Sequence, residues 1–590
     1  MTEQKELHDD LKHIQAQVGK TRSYLCGSSP SSSPTRNADD GGDAPALLQP
    51  SVFGVTAREF QLFLLDAACN SWIHPRESEV HMDMTQPYAH YFIDSSHNTY
   101  LAGHQLQGQS SCDMYKKALL NGCRCVEIDC WDGPNGDPAV THGFTLTSRL
   151  RFYDVIATIK EYGFQTSPYP IMLSLELHTS IAQQKEMVRM MKEAFGSDLL
   201  KSSDADASSL FGESFSPAGL EYKILVKGKR SVTANAPTTS PTTNGPSSSH
   251  PTAVLTKDED AATPNAAGGK PQAPQAAAKG HHAVCNELNE VTYIAAMPFV
   301  SVEKQMTKPH FGVSSVDENK IDRWVKEGPA PYIELSKRFL LRVYPKGLRT
   351  DSSNFNPQNS WNCGAQLVAL NIQTNDEGNR LNRYKFRVNG MCGMILKPLV
   401  MRTPGLQLAD FAEPWVVKVR VLCGIQIPKP GRSQRGEVID PYVELFISGF
   451  PGDDTSSSRK KTKVIDNNGF NPHWDETFTF NVKHPELAML CVQVHERDPM
   501  SSELIADNAV PLTALREGYR CVPLYIDGVQ LQSPSCLLCH FSVTGRKGTS
   551  GVGSAAPALL SPPAIPISAS DMSAADIVLD AFTESHMDLL

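Results

Sequence analysis

No apolar run in the sequence approaches the ~18 residues that a membrane-spanning helix needs. The first ten residues, MTEQKELHDD, lack the hydrophobic stretch of a secretory signal. Position 2 is Thr rather than Gly, which argues against N-myristoylation. Positive charge is in short supply: Lys and Arg number 55 against 64 Asp and Glu, a formal net charge of -9. That balance argues against a basic nucleic-acid-binding domain, so no nucleic-acid partner is expected. An Asp-rich twelve-residue loop is missing near the first helical segments, which excludes an intact EF-hand calcium site there. With no signal, the 14 cysteines of this 590-residue chain read as reduced cytoplasmic thiols. Cys536 and Cys539 form one C-x-x-C in an apolar run without a second pair, which is weak support for metal or redox chemistry.

What is present divides the chain into blocks. Residues 1–50 read as mostly disordered, with an amphipathic helix suggested by Leu7, Leu11, Ile14 and Val18. Within 51–87, the spacing from Thr56 to Glu59 resembles a capping box ahead of Phe60, Phe63 and Leu64, and predicts a helix over 57–67. Residues 88–230 alternate short β-like runs with helical stretches. Strands are expected at 91–93, 124–129, 139–142, 171–175 and 222–226, and helices at 110–121, 151–162 and 181–195. That rhythm indicates βα units around parallel strands. Residues 231–284 are rich in Pro, Ala, Ser, Thr and Gly and cannot bury enough apolar surface to fold. The βα rhythm resumes over 285–402, so the expected α/β fold is one barrel split by a disordered linker. Long surface insertions are tolerated because closure entropy grows slowly with length. From 415 to 545 the pattern has period two: Val417, Val419 and Val421 alternate with Lys418 and Arg420, which predicts an all-β sandwich. Residues 546–590 return to a disordered composition, with a weak helical pattern near 577–582.

Chemistry gathers at the ends of the expected strands. His97 and Asn98 follow the first strand, where the catalytic loops of a barrel lie. Glu127 and Asp129 sit two residues apart on a strand and therefore face one side. Two such carboxylates repel unless a cation or proton lies between them. Ser174, Glu176 and His178 alternate with leucines on another strand, and His142 closes a further one. Three carboxylates plus an amide make an all-oxygen set, suited to Ca2+ or Mg2+ rather than Zn2+. A structural ion-pair network would place carboxylates similarly, but the combination within residues 97–176 favours a site. Lys223, Lys227, Lys229 and Arg230 form a basic cluster, and Arg342 and Tyr344 share one strand face. Either could hold phosphate, or form a solvated basic rim.

The stretches YFIDSSHNTYLAGHQL, GCRCVEIDCWDG, THGFTLTS, MLSLELHTS and ILVKGK, followed by RVYPKGLRTDSSNFNPQNSWNCGAQLVALNIQT and NGMCGMILKP, together resemble eukaryotic phosphoinositide-specific phospholipase C, with a delta-like core. The resemblance covers roughly two thirds of the chain in the family's order: an X half, a Y half and a C2 region. It implies a distorted TIM barrel binding one Ca2+, then a C2 sandwich. A short helical EF-hand-like remnant would precede the barrel, and no room is left for a pleckstrin-homology domain. Residue by residue, the calcium ligands would be Asn98, Glu127, Asp129 and Glu176, with Glu127 or Glu176 as base. His97 and His142 match the two catalytic histidines. Lys227, Lys229, Ser315, Arg342 and Tyr344 match the headgroup-binding set. Leu106, Phe144, Leu146 and Leu348 would form the membrane-dipping rim; the family often carries a bulky aromatic at the place of Leu348. In the C2 region Asp440, Asn467, Glu496 and Asp498 match the calcium loops in part, with Glu496 where the family carries Asp. The implied activity is calcium-dependent hydrolysis of phosphatidylinositol 4,5-bisphosphate to diacylglycerol and inositol 1,4,5-trisphosphate, through a cyclic phosphate. The chain would be a cytoplasmic monomer recruited peripherally to the inner face of the plasma membrane. The competing expectation is a catalytically inactive calcium- and lipid-binding scaffold of the same fold; such relatives typically lack one active-site histidine. The linker is nearly neutral, which argues against strong electrostatic autoinhibition.

Overall fold

The computed structural model describes residues 57–204, 215–230, 283–308, 312–408, 414–432, 436, 438–453, 459–497, 501–532 and 534–546. The helical patterns expected near residues 7–18 and 577–582, the capping residue Thr56, and the insert 231–282 lie outside them.

In chain order the first part holds α1 (Ala57–Leu65), β1 (Tyr91–Ser96), α2 (Cys112–Leu120), β2 (Cys125–Trp131), β3 (Ala139–Val140) and β4 (Leu150–Arg151). It continues with α3 (Phe152–Tyr162), β5 (Ile171–His178), α4 (Ile181–Phe195) and β6 (Ile224–Gly228). After the insert come α5 (Asn286–Val291), β7 (Thr292–Ala296), α6 (Val302–Met306), β8 (Gly312–Asp317), α7 (Glu318–Glu327) and α8 (Ala330–Ser336). Next are β9 (Leu340–Tyr344), α9 (Pro357–Asn362), β10 (Leu367–Leu370), α10 (Glu377–Lys385) and β11 (Met394–Leu396). The helices start where side chains cap them: Ser111, Ser180, Asp317 and Asp376 each accept a backbone N–H of the first turn.

Eight parallel strands close a barrel in the order β1, β2, β5, β6, β7, β8, β9, β10. Four come from before the insert and four from after it. The seam between β1 and β2 is narrow, with Ser95 opposite Cys125 as its one registered pair. β11 adds antiparallel to β1, and the β3–β4 hairpin adds to β2. Most expected strands fall on real ones, with shifted ends. β6 starts two residues later than expected because Tyr222 adopts a left-handed conformation, φ +61°. His142 lies in the loop beyond β3 rather than on the strand.

The strand pleat sorts the barrel interior by height. Ile93, Cys125, Met172, Leu225, Val313 and Leu340 belong to a buried apolar cluster near the strand starts. Two residues further along, Glu127, Ser174 and Lys227 stand side by side in register. Above them Asp129 is registered with Glu176. The alternate residues Val126, Ile128, Leu173 and Leu175 pack outward against Val155 and Ile156 of α3 and Met187 and Val188 of α4. Each such side chain contributes about 1.5–3 kcal/mol by leaving water. The barrel is thus sealed below by apolar side chains and charged at its open end.

The second unit is an antiparallel sandwich: β12 (Trp415–Ile425), β13 (Pro441–Ser448), β14 (Lys460–Lys461), β15 (His473–Val482), β16 (Met489–Arg497), β17 (Ser502–Pro511), β18 (Gly518–Pro523), β19 (Tyr525–Ile526), β20 (Val529–Gln530) and β21 (Cys536–Thr544). One sheet runs β15-β12-β21-β18 and the other β14-β13-β16-β17-β19-β20. The predicted alternation on β12 holds: Val417, Val419 and Val421 are buried while Lys418 is exposed.

The residues expected to be an EF-hand remnant serve as a strap. α1 ends at Leu65, two residues short of the expected length, and lays Leu64 and Leu65 on Leu422, Ile425, Cys521 and Leu538 of the sandwich. The Cys521 thiol donates to the Leu65 carbonyl at 3.2 Å, and Cys536 lies over the same oxygen at 3.9 Å. Burial raises the Cys539 thiol well above its usual range, so this C-x-x-C is packing rather than redox chemistry. Trp72 is fully buried against Phe541 of β21, ring centroids 5.8 Å apart. Further along, the Asn389 side chain accepts the backbone N–H groups of His81 and Met82, which ties the strap to the base of the barrel.

α10 docks the barrel on β17. Asp507 receives Arg380 at 2.7 Å and the Tyr384 hydroxyl at 2.7 Å, while Arg387 donates to Asn508 at 2.7 Å. Replacing Asp507 with Ala would strand a nearly buried guanidinium and a buried hydroxyl. The expected loss of stability is about 3 kcal/mol, read as a lower urea midpoint, with Asp507→Asn milder because it keeps an acceptor. An unchanged midpoint in the Ala variant would show that this contact does not hold the two units together.

Candidate active site at the barrel mouth

Glu127, Asp129 and Glu176 each offer a carboxylate oxygen within 4.8 Å of the others, a group able to hold a metal ion among the described residues. β2 and β5 are registered neighbours, and the pleat turns alternate residues inward, so the cluster follows from strand geometry. Tyr100 donates its hydroxyl to Asp129 Oδ2 at 2.7 Å. Asp129 Oδ1 is buried with no hydrogen-bond partner, an orphaned oxygen of the kind a cation satisfies. Asn98, in a left-handed conformation at φ +41°, donates its backbone N–H to Glu127 Oε2 at 2.8 Å. Its Nδ2 is taken by Gln105 Oε1 at 2.8 Å, which leaves Asn98 Oδ1 for a cation. The oxygen-only donor set fits a hard divalent ion such as Ca2+. Glu127, Asp129 and Glu176 are thus brought together, with Asn98 beside them through its backbone bond to Glu127.

The electrostatics carry the same message. Burial, followed by the charges of Glu176 and Glu127, pushes the Asp129 carboxyl well above the usual range. Burial and the Glu127 charge also raise Glu176, which stands in the open mouth within reach of solvent but ringed by protein. Burial opposes the Glu127 charge as well, but Arg342, His97 and the Asn98 N–H outweigh it and hold Glu127 below its ordinary value. The Arg342 guanidinium reaches Glu127 Oε1 at 2.7 Å, both side chains being buried. Sequence spacing placed Arg342 beside Tyr344 on one face. The structure sets its guanidinium 5.8 Å from the Tyr344 ring, and adds the partner that spacing could not show.

Around the cluster lie the remaining expected residues. His97 Nδ1 meets Asn371 Oδ1 at 2.9 Å, and His142 Nδ1 meets the Gln105 carbonyl at 2.8 Å. Both acceptors are oxygens, so each ring carries its proton on Nδ1 and presents Nε2 to the mouth. Burial first, with Arg342 and His142 nearby, lowers the His97 pKa against the pull of Glu127. Lys227 is buried and donates to Ser174 Oγ at 3.1 Å; burial and Arg342 depress its ammonium against Glu176 and Glu127. Ser315 is registered with Arg342, and Lys229 is exposed just past β6. Leu106, Phe144, Leu146 and Leu348 are exposed by 45, 99, 86 and 81%. Phe144 and Leu146 share the His142 loop, where a Cβ on Gly143 would fall 1.8 Å from the Trp131 ring.

Two residues of the site escaped sequence reasoning, Gln105 and Asn371. Asn371 is the first polar residue after the apolar strand LVAL, at the barrel's open end, and that position was the available signal. In the sandwich, Asp440 Oδ1 accepts the Asn467 N–H at 2.6 Å and the Asp440 N–H donates to Glu496 Oε1 at 3.0 Å. These loops adjoin, but both carboxylates already serve backbone amides; Asp498 lies outside the described residues.

The raised Asp129 pKa fixes a pH dependence. Without a cation the fold holds the Asp129 proton more tightly than the unfolded chain, whose carboxyl keeps the ordinary value of 3.8. The native state then binds more protons, so this group lowers stability as pH rises above that value. A bound cation favours the charged form and expels the proton. Calcium affinity should therefore rise as pH increases above the ordinary carboxyl range, by up to about tenfold per unit for each proton released. Calorimetry should give a binding heat that varies with buffer ionisation enthalpy; a flat affinity with no buffer effect would contradict this.

Comparison with known proteins identifies the regions of the chain. Residues 84–230 match the family described as Phosphatidylinositol-specific phospholipase C, X domain; residues 288–400 match its Y domain; residues 415–524 match the C2 domain. The human 1-phosphatidylinositol 4,5-bisphosphate phosphodiesterase delta-4 is 40% identical over 479 residues, covering 80% of this chain and 62% of the relative. The mouse protein named Inactive phospholipase C-like protein 2 is 36% identical over 508 residues, covering 83% and 43%. The crystal structure of S. officinalis PLC21 superposes with a TM-score of 0.68 at 32% identity, over 83% of this chain and 59% of that one. The chain thus spans less than two thirds of the length of these relatives. Through its X, Y and C2 regions, the chain belongs to the phosphatidylinositol-specific phospholipase C family.

Proposed function

We propose that the chain is a calcium-dependent phosphoinositide phospholipase C, cleaving phosphatidylinositol 4,5-bisphosphate into diacylglycerol and inositol 1,4,5-trisphosphate. The observation that carries the reading is three carboxylates within 4.8 Å of one another in a mouth that also holds two histidines with tethered Nδ1 atoms. Asn98, Glu127, Asp129 and Glu176 would hold the calcium ion, which when bound acidifies a ligated hydroxyl and offsets phosphate charge.

The chain's own residues account for the rest. The inositol 2-hydroxyl attacks the adjacent phosphorus, and the bond to the diacylglycerol oxygen breaks. Glu127 is engaged by Arg342 and by the Asn98 amide, so Glu176 is the carboxylate with lone pairs available for the hydroxyl proton. His97 Nε2 faces the phosphoryl oxygens; the incoming phosphate charge favours its protonated, donating form. His142 in its imidazolium form, with Nδ1–H kept on the Gln105 carbonyl, gives its Nε2 proton to the departing oxygen, and the neutral ring then takes a proton at Nε2 from the water that opens the cyclic phosphate. Lys227, Lys229, Ser315 and Arg342, with Tyr344 beside them, would bind the ring phosphates. Phe144, Leu146, Leu348 and Leu106 would enter the lipid surface, drawing the protein peripherally to the inner face of the plasma membrane. Among the described residues no helix is long and apolar enough to cross it. The sandwich would contribute lipid contact, with Asp440, Asn467, Glu496 and Asp498 as a second, weaker calcium position.

The match to an inactive relative supports a second reading, a lipid-binding scaffold without turnover. The presence of both His97 and His142 beside an intact carboxylate set weighs against it. Purified protein should hydrolyse phosphatidylinositol 4,5-bisphosphate in mixed vesicles, and EGTA should abolish the reaction. His142→Ala should lower turnover by about 10²–10⁴-fold, the usual worth of a positioned acid–base group. Undiminished hydrolysis in chelator would sink the calcium assignment; binding without any turnover would favour the scaffold.

A further inference from the structure

Gln105 lies in the β1–α2 loop, buried at the barrel mouth, and nothing in the reading so far gives it a role. Its side chain is fully used. Oε1 accepts from Asn98 Nδ2 at 2.8 Å; Nε2 donates to Ser352 Oγ at 2.8 Å and to Asn371 Oδ1 at 3.1 Å. Its backbone is used as well. The carbonyl accepts from His142 Nδ1, and the N–H donates to the Thr350 carbonyl at 2.9 Å. Asn371 Oδ1 is the atom that receives His97 Nδ1, while Asn371 Nδ2 donates to the Ser353 carbonyl at 3.2 Å.

We infer that Gln105 is a positioning residue that sets, from one place, the atoms shown to the cation and to the substrate. An amide can face either way around, and a neutral imidazole can carry its proton on either nitrogen. Gln105 removes the choice at each group. It holds Asn98 by the nitrogen, so the oxygen is left for the cation. It donates to Asn371 Oδ1, which fixes that oxygen, rather than the amide nitrogen, toward His97 and so keeps the His97 proton on Nδ1. Its carbonyl does the same for His142. Asn98 and His142 lie before the insert and Ser352 and Asn371 after it, so Gln105 also joins the two halves of the barrel where the chemistry is proposed to occur.

The inference rests on the proposed calcium site and histidine roles, and its test is separable from theirs. Gln105→Leu and Gln105→Glu are compared with the full-length parent by 15N NMR of the histidine rings, calcium calorimetry and vesicle hydrolysis. In Gln105→Leu the His97 signals should move from a fixed Nδ1–H form toward a tautomer mixture. Those of His142, held by a backbone carbonyl, should stay. Calcium affinity should fall about 10–100-fold, as for other residues that orient metal ligands. The kcat should fall about 100-fold at nearly constant KM. Gln105→Glu keeps an acceptor for Asn98 but cannot donate to Asn371. It should disturb the His97 tautomer while sparing calcium affinity more than Gln105→Leu does, and it decides the question if the Leu variant does not fold. Unchanged His97 tautomer and calcium affinity in a folded variant overturn the inference. A parent that turns over no phosphoinositide would overturn the proposed function alone, because the tautomer and calorimetric readings stand without activity.

Discussion

The mouth of the barrel depends on an unfavourable interaction, the mutual repulsion of Glu127, Asp129 and Glu176. The pleat forces these carboxylates together, since β2 and β5 are registered and inward positions recur every second residue. Everything near them answers that charge. Arg342 is drawn into an ion pair with Glu127, Lys227 stands in the same layer as Glu127, and the Asp129 carboxyl is pushed well above its ordinary range. The apolar layer beneath closes the barrel floor and keeps the local dielectric low, which makes each of these effects larger than it would be in water. A site so arranged is poorly satisfied by the protein alone, and that is what suits it to a divalent ion.

Much of this was legible in the sequence because it depends on short periods. Glu127-x-Asp129 and Ser174-x-Glu176-x-His178 carry their own geometry, and the alternation on β12 announced its sheet. What stayed hidden depends on contacts between distant residues and on loop conformation. Gln105 meets Ser352 and Asn371 across some 250 residues, through loops in which Asn98, Phe144 and Ser352 all take positive φ. No local pattern encodes such a meeting. Arg342 could be read as an anion binder from its strand, but its pairing with Glu127 required the barrel to close. The helical segment ahead of the barrel was partly legible for a related reason: its apolar residues showed that it packs, not against what.

The strap and the α10 contact give the assembly its stiffness. Trp72 enters the sandwich core while Asn389 fastens the next turns of the strap to the barrel base. Arg380, Tyr384 and Arg387 grip β17 from the barrel side. With contacts on two sides, the sandwich is held in one orientation relative to the mouth. The sandwich loops and the exposed apolar residues around the mouth are therefore carried on one connected framework.

The strands that flank the insert, β6 and β7, are hydrogen-bonded neighbours, with Val226 opposite Thr292 and Lys227 opposite Ile294. Because the two strands run parallel, the chain needs a crossover to pass from one to the next, and residues 283–291, including α5, lead into the start of β7. For a loop closed within such a crossover, doubling the intervening length costs only about 0.6 kcal/mol. The barrel is nearly indifferent to how long this stretch is or what it is made of, so its composition is free to diverge under pressures unrelated to folding.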